Sequence, residues 1–161
     1  MPARVDPLLS AVQRLTTTHV EGVPVDGEKR TYYANHAALI KQLRDAIGGD
    51  VGGSGANGKL HSERTPIDPD AFQKYMDVVE EVRRFHIGWV GTSPAIDELP
   101  EAVLSRAYLH VRNAIQQGQV TEDVQRLLAA KWRGVCERIL EKLSPPTVYE
   151  LSEYPCPECG F

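Results

Sequence analysis

The sequence contains no long apolar run, no cysteine framework and no strong excess of one charge. Its 161 residues include three cysteines, too few and too unevenly placed for the disulfide scaffold of a small secreted domain. No apolar run approaches the ~20 residues that span a bilayer, and residues 1–6 do not form the apolar core of a signal peptide. These absences predict an intracellular protein with no membrane association.

The charge balance is mildly acidic, with 18 basic and 22 acidic side chains and a net charge of −4. This balance argues against a protein whose main role is to coat nucleic acid through a basic face. What is present is an ordinary globular composition, 42% hydrophobic and 25% charged. A chain of this length buries roughly two thirds of its unfolded surface, so its main core requires neither a disulfide nor a metal.

The first part of the chain predicts a helix followed by a small β-hairpin. An Asp-Pro pair at 6–7 marks the helix start, because Asp accepts bonds from the first N–H groups of a helix and Pro needs no partner there. A β-branched run at 16–21 and a second segment at 29–33 flank an Asp-Gly pair at 26–27. An Asp-Gly pair between two such segments is typical of a hairpin turn.

A short helix is predicted next, from Asn35 to Ile47, where the apolar residues return to helical spacing. The Gly-Gly pair at 48–49 ends it. We therefore interpret residues 1–47 as a helix, a hairpin and a helix that pack on a bundle formed by the rest of the chain.

Residues 48–66 are rich in glycine and predict a flexible loop. Within this segment, residues 53–60 match the first seven positions of a phosphate-binding loop, but the eighth is Leu60, where Mg²⁺ coordination requires Ser or Thr. The segment follows a predicted helix instead of a buried strand, and Pro66 opposes a helix after it. No nucleotide cofactor is predicted.

Residues 67–143 predict three long helices. The first starts at an Asp-Pro pair at 68–69 and ends near Gly88 or Gly91; the others cover about 100–118 and 121–143. Their predicted apolar stripes are Phe72, Tyr75, Met76, Val79, Val82, His86 and Trp89; Val103, Leu104, Ala107, Tyr108, Val111, Ala114 and Ile115; and Val124, Leu127, Leu128, Trp132, Val135, Ile139, Leu140 and Leu143. Amphipathic helices of this length with short connections predict a mainly α fold, an antiparallel bundle of three long helices.

No catalytic set emerges from the spacing of the side chains. His86, Trp89 and Trp132 suggest a pocket, but a His on an apolar stripe is more often a hydrogen-bonded core residue than a catalyst. No Ser-His-Asp arrangement and no carboxylate pair can be nominated. The sequence therefore predicts no catalytic residue and no enzyme.

The strongest chemical pattern lies in the tail, residues 144–161. Cys156 and Cys159 are separated by two residues and followed by a glycine, so their thiolates can hold one Zn²⁺ from a tight turn. A structural zinc site takes four ligands, so this zinc knuckle is half a site. A redox pair is disfavoured because Pro157 and the nearby end of the chain leave no helix after the first cysteine. Cys136 lies on or beside the apolar stripe of the last helix, and we interpret it as a small buried residue.

The five histidines show no paired spacing that would complete the zinc site. A chain that ends two residues after a zinc knuckle, as this one does at Phe161, is expected either to be the start of a longer protein or to have lost the second half of a zinc ribbon.

The order of these elements carries a family resemblance. Four segments contribute most to it: QLRDAI at 42–47, TPIDPDA at 65–71, LSPPTVYEL at 143–151 and PCPECG at 155–160. With the hairpin, the Gly-rich loop and the Trp-containing last helix, they resemble a family of small helical proteins of unknown function from tailed phages of actinobacteria, over nearly the whole chain. In that family a Cys-Pro-x-Cys-Gly sequence usually opens a zinc ribbon completed by a downstream cysteine pair. The resemblance thus implies that Cys156 and Cys159 are zinc ligands, and it implies no reaction.

Two functional hypotheses follow. The first is a non-enzymatic phage accessory protein in the cytoplasm of a bacterial host, a helical interaction module whose complete form binds nucleic acid or a protein partner through a zinc ribbon. The second is a virion structural or assembly protein that acts through homo-oligomerisation of the helical bundle.

Overall fold

The computed structural model describes residues 6–24, 31–48 and 67–143. These residues form α1 (Pro7–Thr16), β1 (His19–Pro24), β2 (Thr31–His36), α2 (Leu39–Ile47), α3 (Pro69–Val90), α4 (Pro100–Gln116) and α5 (Glu122–Leu143). The prediction of a mainly α fold with one small hairpin is confirmed. The hairpin turn predicted at 26–27, the glycine-rich residues 49–66 and the tail lie outside the described residues.

Two helices start at the predicted Asp-Pro pairs. The side chain of Asp6 accepts a hydrogen bond from the backbone N–H of Leu8 at 2.9 Å. Asp68 accepts from the N–H groups of Asp70 and Ala71 at 3.0 and 3.1 Å. In both cases the carboxylate satisfies N–H groups that have no partner inside the helix, and a proline occupies the first helical position. The local sequence therefore fixes where α1 and α3 begin.

The end of α3 is set by Gly91, the second of its two predicted ends. Its φ is +87°, and its N–H donates to the carbonyl of Ile87 at 3.0 Å. This left-handed conformation closes the last turn and favours glycine. A nine-residue connector, 91–99, then leads to α4.

Two boundaries differ from the prediction. α2 starts at Leu39 and not at Asn35, because β2 continues to His36 in antiparallel register with β1. Thr16 belongs to α1 and not to the first strand. Its hydroxyl donates to the carbonyl four residues earlier at 2.7 Å, so this β-branched residue is accommodated in the last helical turn.

All five helices build the core. α3 lies along α4, α1 lies along α5, and α2 packs against both α3 and α5. Trp132 of α5 is fully buried, and its ring meets Phe85 of α3 edge-on with centroids 5.0 Å apart. α1 and α2 contribute fully or almost fully buried side chains, Leu8, Val12, Leu15, Leu39, Ile40 and Leu43. They are therefore integral to the hydrophobic core that the three long helices share.

The end of the bundle at which α5 finishes is held by charge. Lys142 of α5 lies 2.9 Å from Asp68 and 3.0 Å from Asp70 at the start of α3. Its hydrogen bonds are the largest cause that lowers the pKa of each carboxyl, and they also raise the pKa of Lys142. The N–H of Asp68 in turn donates to the carbonyl of Ile47 at 3.1 Å. The ends of α2 and α5 and the start of α3 therefore meet.

Candidate functional site

The two predicted zinc ligands, Cys156 and Cys159, lie outside the described residues, so their role stays a prediction. Among residues 6–24, 31–48 and 67–143, no group of three or more His, Cys, Asp or Glu side chains is placed to hold a metal ion. Cys136 is fully buried on α5, and its thiol donates to the carbonyl of Ala11 at 3.6 Å. Its interpretation as a small core residue is confirmed.

His86 lies in a buried polar cluster between α3, the connector and α4. Only 1% of the residue is exposed. Its Nδ1 is 2.8 Å from the carbonyl oxygen of Thr92, and its Nε2 is 3.3 Å from Nη1 of Arg106. A carbonyl oxygen only accepts and a guanidinium only donates. In this arrangement Nδ1 is the donor to Thr92 and Nε2 is the acceptor from Arg106.

Arg106 extends this cluster to the connector. It donates two hydrogen bonds to Glu98, at 2.8 and 3.0 Å. This pairing lowers the pKa of Glu98 and raises that of Arg106. Arg83 of α3 also donates to the carbonyl of Pro94 at 3.3 Å. Both ring nitrogens of His86 are engaged in holding the connector, so the interpretation of His86 as a hydrogen-bonded core residue is confirmed.

The suggested pocket around His86, Trp89 and Trp132 is filled by a side chain. The ring of Phe85 lies 6.2 Å from that of Trp89 and 5.0 Å from that of Trp132, measured between centroids. A small cleft of about 90 Å³ lies between α3 and α5, and it is lined by Lys74, Asp77, Val78, Arg138 and Ile139. The cleft does not bring His86 together with a carboxylate.

A second histidine cluster forms on the hairpin, where sequence analysis expected no pairing. His19 and His36 are direct cross-strand partners, and their rings stack with centroids 5.9 Å apart and planes 24° apart. A two-residue turn at 26–27 would place His19 opposite Ala34. In the observed register His19 is opposite His36, two positions further along. The register of the hairpin, which spacing alone does not give, brings the two imidazoles together.

A row of apolar side chains on α3 is left exposed, and we name Phe72, Met76, Val79 and Ile87 the α3 apolar surface. Phe72, Met76 and Ile87 are 47%, 44% and 45% exposed, and Val79 is partly buried. At 100° per residue these positions fall within an 80° sector of the helix, which also contains the partly buried Arg83 between Val79 and Ile87. They lie beside the buried face of α3, which consists of Ala71, Val78, Val82, Phe85 and His86.

The expectation that Phe72 and Met76 lie within the buried stripe is therefore wrong, as it is for Val124 and Leu127 of α5, which are also exposed. The apolar sector of each helix is wider than the sector that neighbouring helices cover. A helix is covered only where another element packs against it, and the sequence of one helix does not show the width of that contact.

The comparisons with known proteins give no relative: no family model, no curated protein and no solved structure matches the chain. Within the part of the chain that the structure describes, none of the helices has the length and apolar composition needed to cross a bilayer. The α3 apolar surface groups several exposed apolar side chains on one helix, and the fold of the described residues does not use it.

Proposed function

We propose that the protein is a non-enzymatic interaction module whose helical body binds a protein partner through the α3 apolar surface. The resemblance to phage proteins supports an accessory role in the cytoplasm of an infected bacterium. In this proposal the zinc knuckle at Cys156 and Cys159 is a second point of contact, with nucleic acid or with the protein partner.

The observation that carries the proposal is the exposure of Phe72, Met76 and Ile87 on one face of one helix. Single exposed apolar residues are common on protein surfaces, but several on one face of a helix mark a site of interaction. Phe72, Met76 and Val79 are direct neighbours on this face, and Ile87 follows after Arg83. From Phe72 to Ile87 the helix rises about 22 Å at 1.5 Å per residue. This length suits docking against a groove or against a helix of a partner.

The border of the surface on the side away from the buried face is polar, as the rim of protein–protein interfaces is. Beside the apolar row on α3, Gln73 donates to Asp77 at 2.9 Å, and Arg84 pairs with Glu80 one turn apart. These four side chains are exposed. An apolar centre with a polar margin allows the surface to be hydrated when it is free and buried when a partner is bound.

Charge favours a protein partner over nucleic acid for the helical body. Residues 67–161 contain 10 basic and 15 acidic side chains. Nucleic-acid binding draws much of its affinity from cationic contacts to phosphates, and this part of the chain has an excess of acidic groups. Residues 67–161 are therefore better suited to a protein partner than to nucleic acid.

The test is photo-cross-linking in host cells that produce the phage proteins. A photoreactive amino acid replaces Met76 in one variant and Ala130, an exposed residue of α5, in a matched control. We expect a specific cross-linked protein from position 76 and not from position 130. A cross-link between two copies at position 76 would favour the virion-assembly alternative. Equal cross-linking at both positions would contradict the proposal.

A further inference from the structure

A cation lies within the α3 apolar surface. The side chain of Arg83 is partly buried and falls between Val79 and Ile87 in the same 80° sector of the helix. Its Nη2 donates a hydrogen bond to the carbonyl of Pro94 at 3.3 Å. Within residues 6–24, 31–48 and 67–143, this is the one hydrogen bond that Arg83 forms, and no carboxylate pairs with it. The exposed apolar row therefore contains a charge that the described part of the chain does not balance.

Two other partly buried arginines of the helical body do have a carboxylate partner. Arg106 donates two hydrogen bonds to Glu98, and Arg44 lies 2.9 Å from Glu101. A guanidinium carries five N–H donors in a planar fork that matches the two oxygens of a carboxylate. Arg83 uses one of these donors, so the others are available to an acidic group of a bound partner.

Covering the α3 apolar surface also makes such an acidic group necessary. A partner that buries Phe72, Met76 and Val79 removes water from the neighbouring guanidinium of Arg83 as well. A charge that loses its water without gaining a counter-ion costs several kcal/mol or more. Tight binding at this surface therefore requires an occupant that brings a carboxylate to Arg83.

The width and spacing of the surface match a single helix. Phe72, Met76, Val79 and Arg83 are separated by four, three and four residues, which is the spacing of the a and d positions in a coiled coil. A narrow stripe of this kind is covered by one neighbouring helix, whereas insertion of α3 into a groove needs a wider apolar face. A partner strand needs a sheet edge with free backbone N–H and C=O groups, which the middle of a helix does not offer. The occupant that fits is therefore a helix that lies along α3.

We propose that the α3 apolar surface binds one amphipathic helix of a partner protein, and that an Asp or Glu of this helix pairs with Arg83. The inference rests on the proposed function and names the chemistry of the partner, a helix with apolar residues at the same spacing and one carboxylate among them. In coiled coils, a single polar residue at a core position fixes the register of the two helices. Arg83 has that role here, so it determines specificity as well as affinity.

The first test maps the contact on the partner. A photoreactive phenylalanine replaces Phe72 in one variant and Ile87 in another, and mass spectrometry of the cross-linked peptides locates both contacts. We expect them about 15 residues apart in one helix of the same protein, because paired helices rise equally at about 1.5 Å per residue. Contacts on two different helices, contacts in a strand or loop, or no specific contact would each overturn the inference.

The second test measures affinity for that partner by isothermal titration. Arg83→Gln removes the charge but keeps an N–H donor for the carbonyl of Pro94. We expect it to bind at least about 30-fold more weakly, as is typical when one member of a buried charge pair is removed. Arg133→Gln, the same change at an exposed position of α5, is the matched control and should bind like the parent chain. The circular dichroism of both variants should be unchanged.

A double-mutant cycle separates pairing from an indirect structural effect. The partner's carboxylate that faces Arg83 is changed to the corresponding amide. This change should weaken binding to the parent chain and have little further effect on binding to Arg83→Gln. Parent-like affinity of Arg83→Gln, or additive effects of the two changes, would overturn the inference. If position 76 gives a specific cross-link while this test fails, the proposed function stands, and the pairing of a partner helix with Arg83 is rejected.

Discussion

The clearest structural prediction concerns Leu43, which tests whether α2 is part of the hydrophobic core. Leu43 is fully buried in a helix that packs against both α3 and α5. The change Leu43→Ala removes three buried methylene-sized groups, which contribute about 2.4 kcal/mol at ~0.8 kcal/mol each. The cavity that remains adds to this figure, and we expect a total loss of about 3–4 kcal/mol in the free energy of unfolding.

Urea unfolding followed by circular dichroism measures this loss. With a denaturant slope of about 2 kcal/mol per molar, the midpoint should fall by about 1.5–2 M. The matched control is Leu127→Ala on α5, the same chemical change at a side chain that is 70% exposed, which should alter stability by no more than about 0.5 kcal/mol. If the two variants unfold at the same urea concentration, α2 is not an integral part of the core.

Three further predictions test other parts of the structure. Cys136 should react with Ellman's reagent only after unfolding, because it is fully buried, so Cys136→Ala should remove one thiol from the count in the unfolded protein and none from the count in the native protein. Asp68 and Asp70 have pKa values below their ordinary 3.8, so the stability they contribute is present above pH 4 and is lost as the pH falls through the lowered values. Lys142→Met should therefore reduce the drop in urea midpoint between pH 5 and pH 2.5. Gly91→Ala should lower the free energy of unfolding by about 1 kcal/mol, since φ is +87° and an added Cβ meets no atom within 4 Å.

Local sequence rules account for most of the secondary structure. The Asp-Pro pairs at 6–7 and 68–69 act through neighbouring N–H groups, and Gly91 acts through its own φ, so each can be recognised without knowledge of the rest of the fold. The two boundary errors, at Thr16 and Asn35, have the same origin. A residue between a helix and a strand joins one or the other according to the hydrogen bonds it can make in the fold. The secondary-structure propensity of its amino-acid type carries no information about those bonds.

Long-range relations could not be predicted in the same way. The His19–His36 pair depends on the hairpin register, and a shift of two positions would separate the rings. The exposure of Phe72 and Met76 depends on how far the neighbouring helices reach around α3. Both features depend on how separate elements pair or pack, which the sequence of one element does not show. In this chain, sequence patterns predict the helix ends well and predict the exposed and paired surface residues poorly.

The most direct test of the central claim is the affinity for the partner identified by cross-linking, measured by isothermal titration with purified proteins. Phe72→Glu with Met76→Glu adds two negative charges to the α3 apolar surface, and Ala130→Glu with Arg133→Gln makes the same charge change on an exposed part of α5. We expect the first double variant to bind at least about 100-fold more weakly, because buried apolar anchors contribute about 2 kcal/mol or more each to binding. The second should bind like the parent chain. Equal affinities for the two double variants would contradict the assignment of partner binding to the α3 apolar surface.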